Sequence, residues 1–267
     1  MRAARVALAF LRRDLLIEAS YRANFLFGLS GLLLRIGLFF FLARMVARLA
    51  PGLGEGYFPF VLSGLAVSEL MAEALHGFGR RVRAAQTLGT LEAVLATPIS
   101  PAEAILSPAL LPLGAALARG GVYLGVALLA TANAPSPLQL ITGAAAYLVG
   151  AAVFVALGVL SASLTLLLKR GDPLGAGLAA LSTLLSGVYY PVSVLPAPLQ
   201  SVAQWLPMTH ALEALRAGMG AGGGVESEGG RAWLILSLLA LGLLPLSLLA
   251  FAAATRRARR EGSLCHY

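Results

Sequence analysis

The sequence has little charge, one cysteine and one lysine. Only 12% of its 267 residues are charged, whereas 58% are hydrophobic. A soluble domain carries about 25% charged residues to cover its surface, so this composition excludes a soluble globular protein and indicates an integral membrane protein. The single cysteine, Cys265, excludes a disulfide framework and a multi-cysteine metal site.

Motifs for chemistry are also missing. Lys169 is the only lysine, and its surroundings, LTLLLKRGDP, do not match GxxxxGK[ST]. The lysine that holds nucleotide phosphates in a P-loop is therefore absent, and we do not expect this chain to hydrolyse ATP by that route. No nucleophile, base and orienting residue are grouped in the sequence, and there is no HExxH signature. We expect no enzyme, no metal site and no cofactor held by the chain itself.

The net charge is +8, but the basic residues stand at the ends of apolar runs rather than on one basic face. This arrangement is the topology signal of a membrane protein, so nucleic acid is not an expected partner.

The sequence predicts six membrane spans, over residues 24–46, 57–78, 102–130, 138–168, 174–189 and 232–255. A turn is expected over residues 51–56, between the first two spans. The third span is expected to bend at Pro108 or Pro112, because proline removes a helical hydrogen bond.

The distribution of arginine orients these spans. Cytoplasmic loops of membrane proteins carry the excess of lysine and arginine, so both termini are expected in the cytoplasm of a multi-pass protein of the plasma or inner membrane. The predicted outer ends hold only Arg44, Arg48, Arg216 and Arg231. The predicted inner segments hold Arg2, Arg5, Arg12, Arg13, Arg22, Arg80, Arg81, Arg83, Lys169, Arg170, Arg256, Arg257, Arg259 and Arg260.

Two segments of mixed polarity are predicted on the inner side. Residues 1–22 combine several arginines with an apolar stripe of Leu8, Leu11 and Leu15, which indicates a helix lying on the cytoplasmic leaflet. Residues 80–100 form the longest mixed segment between two apolar runs. They predict a short amphipathic helix, too short and too polar to cross a bilayer. This second helix either rests on the membrane or is held by a soluble partner, and we favour the partner.

Residues 191–217 lie on the predicted outer side and are divided by prolines into pieces shorter than a span. The pieces at 199–206 and 209–217 each suit a short helix, with Thr209 as the cap of the second. Irregular backbone at membrane depth has to be buried in protein or line a cavity. We therefore predict two short helices that re-enter the outer leaflet, with an ordinary surface loop as the alternative. The prolines of this segment are Pro191, Pro196, Pro198 and Pro207.

Four charged residues lie away from the ends of the predicted spans. Arg35 lies near the middle of the first, and Arg119 lies in the third. Glu69 and Glu73 lie one helical turn apart in the second, and so on one face. Ionisable groups are costly in a bilayer and usually find partners. Because Arg35 and Glu69 lie at similar depth, we predict that they pair and fasten the first two spans together. A role along a substrate path is the alternative to packing.

Two stretches resemble a known family. The first, from Gly89 to Ser100, reads GTLEAVLATPIS and resembles the cytoplasmic motif of type-2 ABC exporter permeases, GTLE-x-L-x-x-x-P-[IVL]-S. The second, from Ser186 to Arg216, reads SGVYYPVSVLPAPLQSVAQWLPMTHALEALR and resembles the segment before their last span. The resemblance extends over the whole chain, in length, in the six spans, in the inner termini and in the order of the motifs.

The resemblance implies an all-α integral membrane protein in which residues 1–267 form one permease domain. Its cargo would be a drug-like, lipid-like or glycan-like amphiphile moved out of the cytoplasm. The partners would be membrane lipid, a second permease copy, most simply as a homodimer, and a separate ABC ATP-binding subunit that holds ATP and Mg²⁺. A coupling helix over residues 84–98 would sit in a groove of that ATPase. Its contact residues would be Gln86, Gly89, Thr90, Leu91 and Glu92. The outer pair of helices over residues 191–217 would partly close the exit and would include Pro191, Pro196, Pro207 and Glu213.

Two alternatives from other classes stay open. An ion-coupled secondary transporter would use the intramembrane glutamates and arginines directly, although the six spans show no obvious internal repeat of the kind that such carriers often have. A membrane scaffold would only recruit a soluble partner to the bilayer and would transport nothing.

Overall fold

The computed structural model describes residues 2–20, 22–49, 51–89, 100–131, 135–168, 173–220 and 226–260. Within these ranges the regular structure is helical, without a strand, and five helices are long and apolar enough to cross a membrane. The chain is an all-α membrane protein. In chain order the helices are α1 (Arg2–Ser20), α2 (Arg22–Leu49), α3 (Pro51–Thr87), α4 (Pro101–Leu106), α5 (Leu110–Leu129), α6 (Pro137–Leu168), α7 (Pro173–Leu185), α8 (Ala197–Ala203), α9 (Pro207–Gly218) and α10 (Glu226–Arg260).

Helix α3 is the centre of the bundle. It packs against α2, α5, α6, α7 and α9, and its apolar side chains, including Leu62, Leu70 and Leu75, are almost completely buried. Small residues allow the neighbours to approach. A Cβ atom on Gly158 of α6 would overlap the backbone carbonyl of Ala74 on α3. The backbones of α6 and α3 are therefore in contact at this glycine, as is common where membrane helices pack through small residues.

Helices α2 and α10 lie at the periphery and keep most of their apolar surface outside the chain. Leu34 and Phe41 of α2 and Leu241 of α10 are among their exposed residues. Helix α10 packs against α6 and α9 on its inward side. Exposed apolar faces of this length suit hydrocarbon or another protein surface.

The predicted turn over residues 51–56 is wrong, because α3 already begins at Pro51. Proline is favoured in the first turn of a helix, where its missing N–H would have no helical partner. The bend expected at Pro108 or Pro112 lies at Pro108. There the 3₁₀ segment Ser107–Ala109 separates α4 from α5, since proline cannot donate the bond that would continue the helix.

The predicted fifth span is longer than the helix that forms. Helix α7 has 13 residues and ends at Leu185. At 1.5 Å per residue it is about 20 Å long, less than the roughly 30 Å of a bilayer core. The chain turns at Gly187, whose φ of 83° favours glycine. Val188 then packs against α3, so residues 186–189 belong to this turn rather than to a span.

Helix α1 covers most of the predicted interfacial segment. It touches α2, α4, α5 and the 3₁₀ segment Ser107–Ala109. Leu8 and Leu15 are exposed, whereas Phe10 and Ile17 line a cavity of about 420 Å³ between α1 and the inner ends of α3, α5 and α10. Leu8 and Leu15 of the predicted stripe therefore face away from the bundle, as the lipid-facing side of an interfacial helix does, whereas Leu11 is half-buried.

The predicted coupling helix differs at its start. Residues 84–87 are the last turn of α3, and the Leu88 amide still donates to the Ala84 carbonyl at 3.0 Å. Gly89 then has a φ of 67° and stops the helix in the way that glycine commonly does at helix C-termini. Residues 90–98 lie outside the described residues. The chain resumes at Ser100, which forms a capping box with Glu103 at the start of α4.

Candidate functional site

The centre of the membrane bundle holds a cluster of three charged side chains, here called the central cluster: Arg35, Glu69 and Arg119. Glu69 on α3 accepts a hydrogen bond from Nη1 of Arg35 on α2 at 3.0 Å. Its other carboxylate oxygen accepts from Nε of Arg119 on α5 at 2.6 Å. Glu69 therefore joins three helices. The predicted pairing of Arg35 with Glu69 is present, and Arg119 shares the same carboxylate.

All three residues lie near the middle of their helices, as the bounds of α2, α3 and α5 show. In a membrane this depth is the most costly for a charge. The side chain of Glu69 is mostly buried at 17% exposure, whereas Arg119 is 35% and Arg35 57% exposed. The carboxylate is thus held inside the bundle, and the cationic groups extend from it toward the surface of the chain.

Two tyrosines support the cluster from α5 and α6. Tyr123, one turn after Arg119, is completely buried. Tyr147 reaches across from α6, and its hydroxyl occupies the place that a Cβ on Gly120 would take. Neither hydroxyl makes a hydrogen bond of normal geometry to the described residues. The sequence analysis did not select these tyrosines, because an isolated tyrosine in an apolar run carries no signal of its neighbours.

A cleft opens beside the central cluster. It has a volume of about 230 Å³ and is bounded by the cluster, by Tyr123 and by the inner half of α2. On α2 the lining includes Gly28 and Gly31, and a Cβ atom at either position would meet nothing within 4 Å. The cleft therefore leads along one face of α2 from its inner half to Arg35.

Glu73 does not belong to the same site as Glu69. Its carboxylate accepts from Nη2 of Arg81 at 2.8 Å and lies 3.6 Å from Nη2 of Arg80. Both arginines are on the same helix, near its inner end. Although Glu69 and Glu73 lie one helical turn apart on α3, their carboxylates turn toward different cations.

The end of the bundle opposite Gly89, which is the predicted outer side, holds a second arginine-centred cluster, here called the outer cluster: Arg216, Phe60, Ser63 and Gly187. Arg216 on α9 donates from Nε to the Ser63 hydroxyl at 3.1 Å. Its Nη2 donates to the carbonyls of Phe60 at 3.0 Å and Gly187 at 2.9 Å. The guanidinium carbon lies 3.7 Å from the centre of the Phe60 ring. One side chain thus connects α9, α3 and the turn after α7.

The predicted pair of outer helices corresponds to α8 and α9. Pro196 is the residue before α8, Pro207 is in the first turn of α9, and Pro191 precedes the 3₁₀ segment Val192–Val194. Thr209 is not the cap of α9, because the helix already starts at Pro207. Its hydroxyl instead donates to the Ala203 carbonyl at 2.7 Å and so ties the two short helices together.

Helix α9 is packed inside the bundle. Met208, Leu212 and Leu215 are completely buried, and the helix contacts α3, α6 and α10. Glu213 is on its exposed side, with Oε2 3.6 Å from Nδ1 of His210. Burial of this kind is what the re-entrant interpretation requires of α9, and that interpretation stays a prediction.

The residues expected to contact an ATPase are only partly described. Gln86 is in the last turn of α3, and Gly89 is in the turn that ends this helix. Thr90, Leu91 and Glu92 lie outside the described residues.

Comparison with known families decides the class of the protein. The chain matches the ABC-2 type transporter family over residues 9–219. It belongs to this family. The match includes α1 to α9 and both clusters, and no curated protein matches the chain. The protein is therefore the transmembrane permease of an ABC transporter, and its family implies an ATP-binding partner subunit.

Proposed function

We propose that this permease is the membrane subunit of an exporter that moves an amphiphilic cargo out of the cytoplasm. In this proposal it works as a homodimer in the inner membrane, with both termini in the cytoplasm, and a separate ATPase subunit binds and hydrolyses ATP with Mg²⁺. The family match over residues 9–219 carries the proposal, because members of this family work with an ATP-binding partner.

The shape of the inner side supports this role. The central helix α3 continues past the apolar part of its span to Thr87 before the turn at Gly89, and α4 begins at Pro101 with a capping box at Ser100. The ATPase shifts the permease between two states if it binds them with different affinity.

The outer side supports the direction of transport. Helices α8 and α9 occupy the end of the bundle opposite to Gly89, and the outer cluster holds α9 to α3. With α8 and α9 closing the end of the bundle opposite the ATPase, the transport path would open to the outside in only one of the two states of the permease. Glu69 and Glu73 are both engaged in ion pairs, which gives no support to an ion-coupled carrier that uses them as free carboxylates.

The test is ATP hydrolysis by the candidate ATPase, alone and with the permease in lipid nanodiscs. We expect stable co-purification and a changed turnover with the wild type, and weakened association with Glu92→Arg. The matched control is Glu226→Arg, the same charge reversal at the start of α10 on the predicted outer side. No association under any nucleotide condition would contradict the proposal, and equal effects of the two variants would remove the contact from Glu92.

A further inference from the structure

The central cluster carries an unbalanced positive charge. Two guanidinium groups, those of Arg35 and Arg119, share the one carboxylate of Glu69. The nearest further carboxylate on α3 is Glu73, which is already engaged by Arg80 and Arg81. The cluster is thus one positive charge in excess near the middle of the bundle. A charge at this depth is retained only where a partner or water stabilises it, so the excess charge is available to an anion.

The excess is located on the side of the cleft. Arg35 donates to Glu69 through Nη1, and a guanidinium group has further donors in a planar fork that fits carboxylate and phosphate oxygens. Its side chain is the most exposed of the three, at 57%. The Tyr123 hydroxyl belongs to the wall of the same cleft and is buried without a hydrogen bond of normal geometry to the described residues. It is a second donor that an anion in the cleft would satisfy.

The part of the cleft that α2 forms below Arg35 is apolar and open. Phe27 and Leu32 line it together with Gly28 and Gly31, whose missing side chains leave the space free. The volume of about 230 Å³ is less than the roughly 300 Å³ at which pockets for whole drug-like ligands begin. It is sufficient for a head group and the first part of a chain. An anion without an apolar portion would make no favourable contact with Phe27 and Leu32.

We propose that the central cluster and its cleft bind the anionic head group of an amphiphile, with Arg35 and Tyr123 as donors and the inner half of α2 along the start of the chain. Resting on the proposed function, this makes an anionic amphiphile the cargo class of the permease. Because the cleft follows α2 from its inner half to Arg35, the head group enters from the cytoplasmic half of the membrane and reaches the cluster at mid-depth.

The experiment measures binding to the purified permease without any ATPase, in neutral maltoside detergent, by native mass spectrometry. The probes are dodecyl phosphate and dodecyltrimethylammonium, which share the chain and differ in charge, together with inorganic phosphate. We expect dodecyl phosphate to bind at least tenfold more tightly than dodecyltrimethylammonium, and inorganic phosphate to bind weakly. Equal binding of the two amphiphiles would overturn the proposal.

Two variants locate the site. Arg35→Gln removes the excess charge and is expected to weaken dodecyl phosphate binding about tenfold, since a hydrogen bond to a charged group is lost. Glu69→Gln raises the excess and is expected to strengthen it, a change in a direction that a folding defect does not produce. The control is Arg48→Gln, an exposed arginine near the outer end of the same helix, with no change expected. Equal loss in Arg35→Gln and Arg48→Gln, or weaker binding in Glu69→Gln, would contradict the assignment.

The source of the head group is determined by repeating the measurement in nanodiscs of phosphatidylcholine with and without phosphatidylglycerol. If phosphatidylglycerol competes with dodecyl phosphate, the occupant is a membrane lipid. If phosphatidylglycerol does not compete, the occupant is a single-chain cargo. If the permease associates with its ATPase but shows no preference for dodecyl phosphate, the anion site is wrong and the proposed exporter stands. If it binds dodecyl phosphate but no ATPase, the reverse holds.

Discussion

The central cluster and the outer cluster both place an arginine at the contact of three parts of the chain, yet they stabilise its charge in different ways. In the central cluster two arginines share one carboxylate and extend into an open cleft. In the outer cluster the single Arg216 is surrounded by two backbone carbonyls, a hydroxyl and an aromatic ring. The outer arrangement satisfies its cation with the protein itself, whereas the central one leaves donors available. The outer cluster therefore stabilises the fold, whereas the central cluster is suited to bind a ligand.

The largest effect on the free energy of unfolding is expected when the contacts of Arg216 are removed. Arg216→Gln loses the contacts that hold α9 to α3 and to the turn at Gly187, and a hydrogen bond to a charged group contributes about 1.5–3 kcal/mol. We expect a loss of about 3 kcal/mol or more in the free energy of unfolding. Arg35→Gln, the same substitution in the central cluster, is expected to cost much less, because Arg35 is 57% exposed and its ion pair with Glu69 is one hydrogen bond.

Denaturation of both variants in the same neutral detergent, followed by tryptophan fluorescence and compared with the exposed Arg231→Gln, measures this difference. Equal losses for Arg216→Gln and Arg35→Gln would mean that the two clusters do not differ in kind.

An intermediate effect is expected from the close backbone approach that the outer cluster needs. A Cβ atom on Gly64 of α3 would lie 3.0 Å from Cα of Val188 and closer still to its carbonyl oxygen. Gly64→Ala therefore forces the turn after α7 away from α3, at an expected cost of about 1–3 kcal/mol. The matched control is Gly37→Ala on α2, where a Cβ meets nothing within 4 Å.

Alanine is the better helix former by about 1 kcal/mol, so Gly37→Ala is expected to be neutral or stabilising in the same denaturation assay. A destabilised Gly37→Ala, or a neutral Gly64→Ala, would show that the packing of the 186–189 turn on α3 is looser than these contacts indicate.

The smallest effect is expected at the edge of the outer helices. Glu213 is 48% exposed, and its carboxylate lies 3.6 Å from the His210 ring. Pairs of this kind contribute little, so Glu213→Gln is expected to change the free energy of unfolding by about 0.5 kcal/mol or less. The His210 bond to the Gln204 carbonyl at 2.9 Å is kept. A loss comparable to that of Arg216→Gln would show that residues 211–216 as a whole, and not Arg216 alone, hold α9 in place.

Much of the fold follows from local patterns in the sequence. The low charge and the long apolar runs identify a membrane protein, and the five long helices lie where apolar runs were predicted. The prolines of the outer segment mark the starts of α8 and α9. The central pairing of Arg35 with Glu69 was also predictable, because two opposite charges at similar depth in neighbouring spans have few other partners.

Other features depend on contacts that no local pattern records. The short α7 was expected to be a full span, because its apolar composition continues through Val188, whereas the chain turns at Gly187 to pack on Gly64. Arg216 was placed only as an outer basic residue, since the carbonyls of Phe60 and Gly187 that hold it are distant in sequence. Tyr123 and Tyr147 carry no signal until the helices around Glu69 are assembled.

The sequence by itself determined that the chain is a membrane protein, its family resemblance and the presence of costly charges inside the spans, and it predicted the orientation of the spans from the basic residues. These properties are set by composition and by the neighbours of each residue along the chain. Only the tertiary structure decided that two arginines share Glu69, that Glu73 turns to other cations, and that Arg216 fastens the outer helices. Such choices depend on which helix faces lie at one depth within hydrogen-bonding distance, and the packing of α3 with its neighbours fixes those distances.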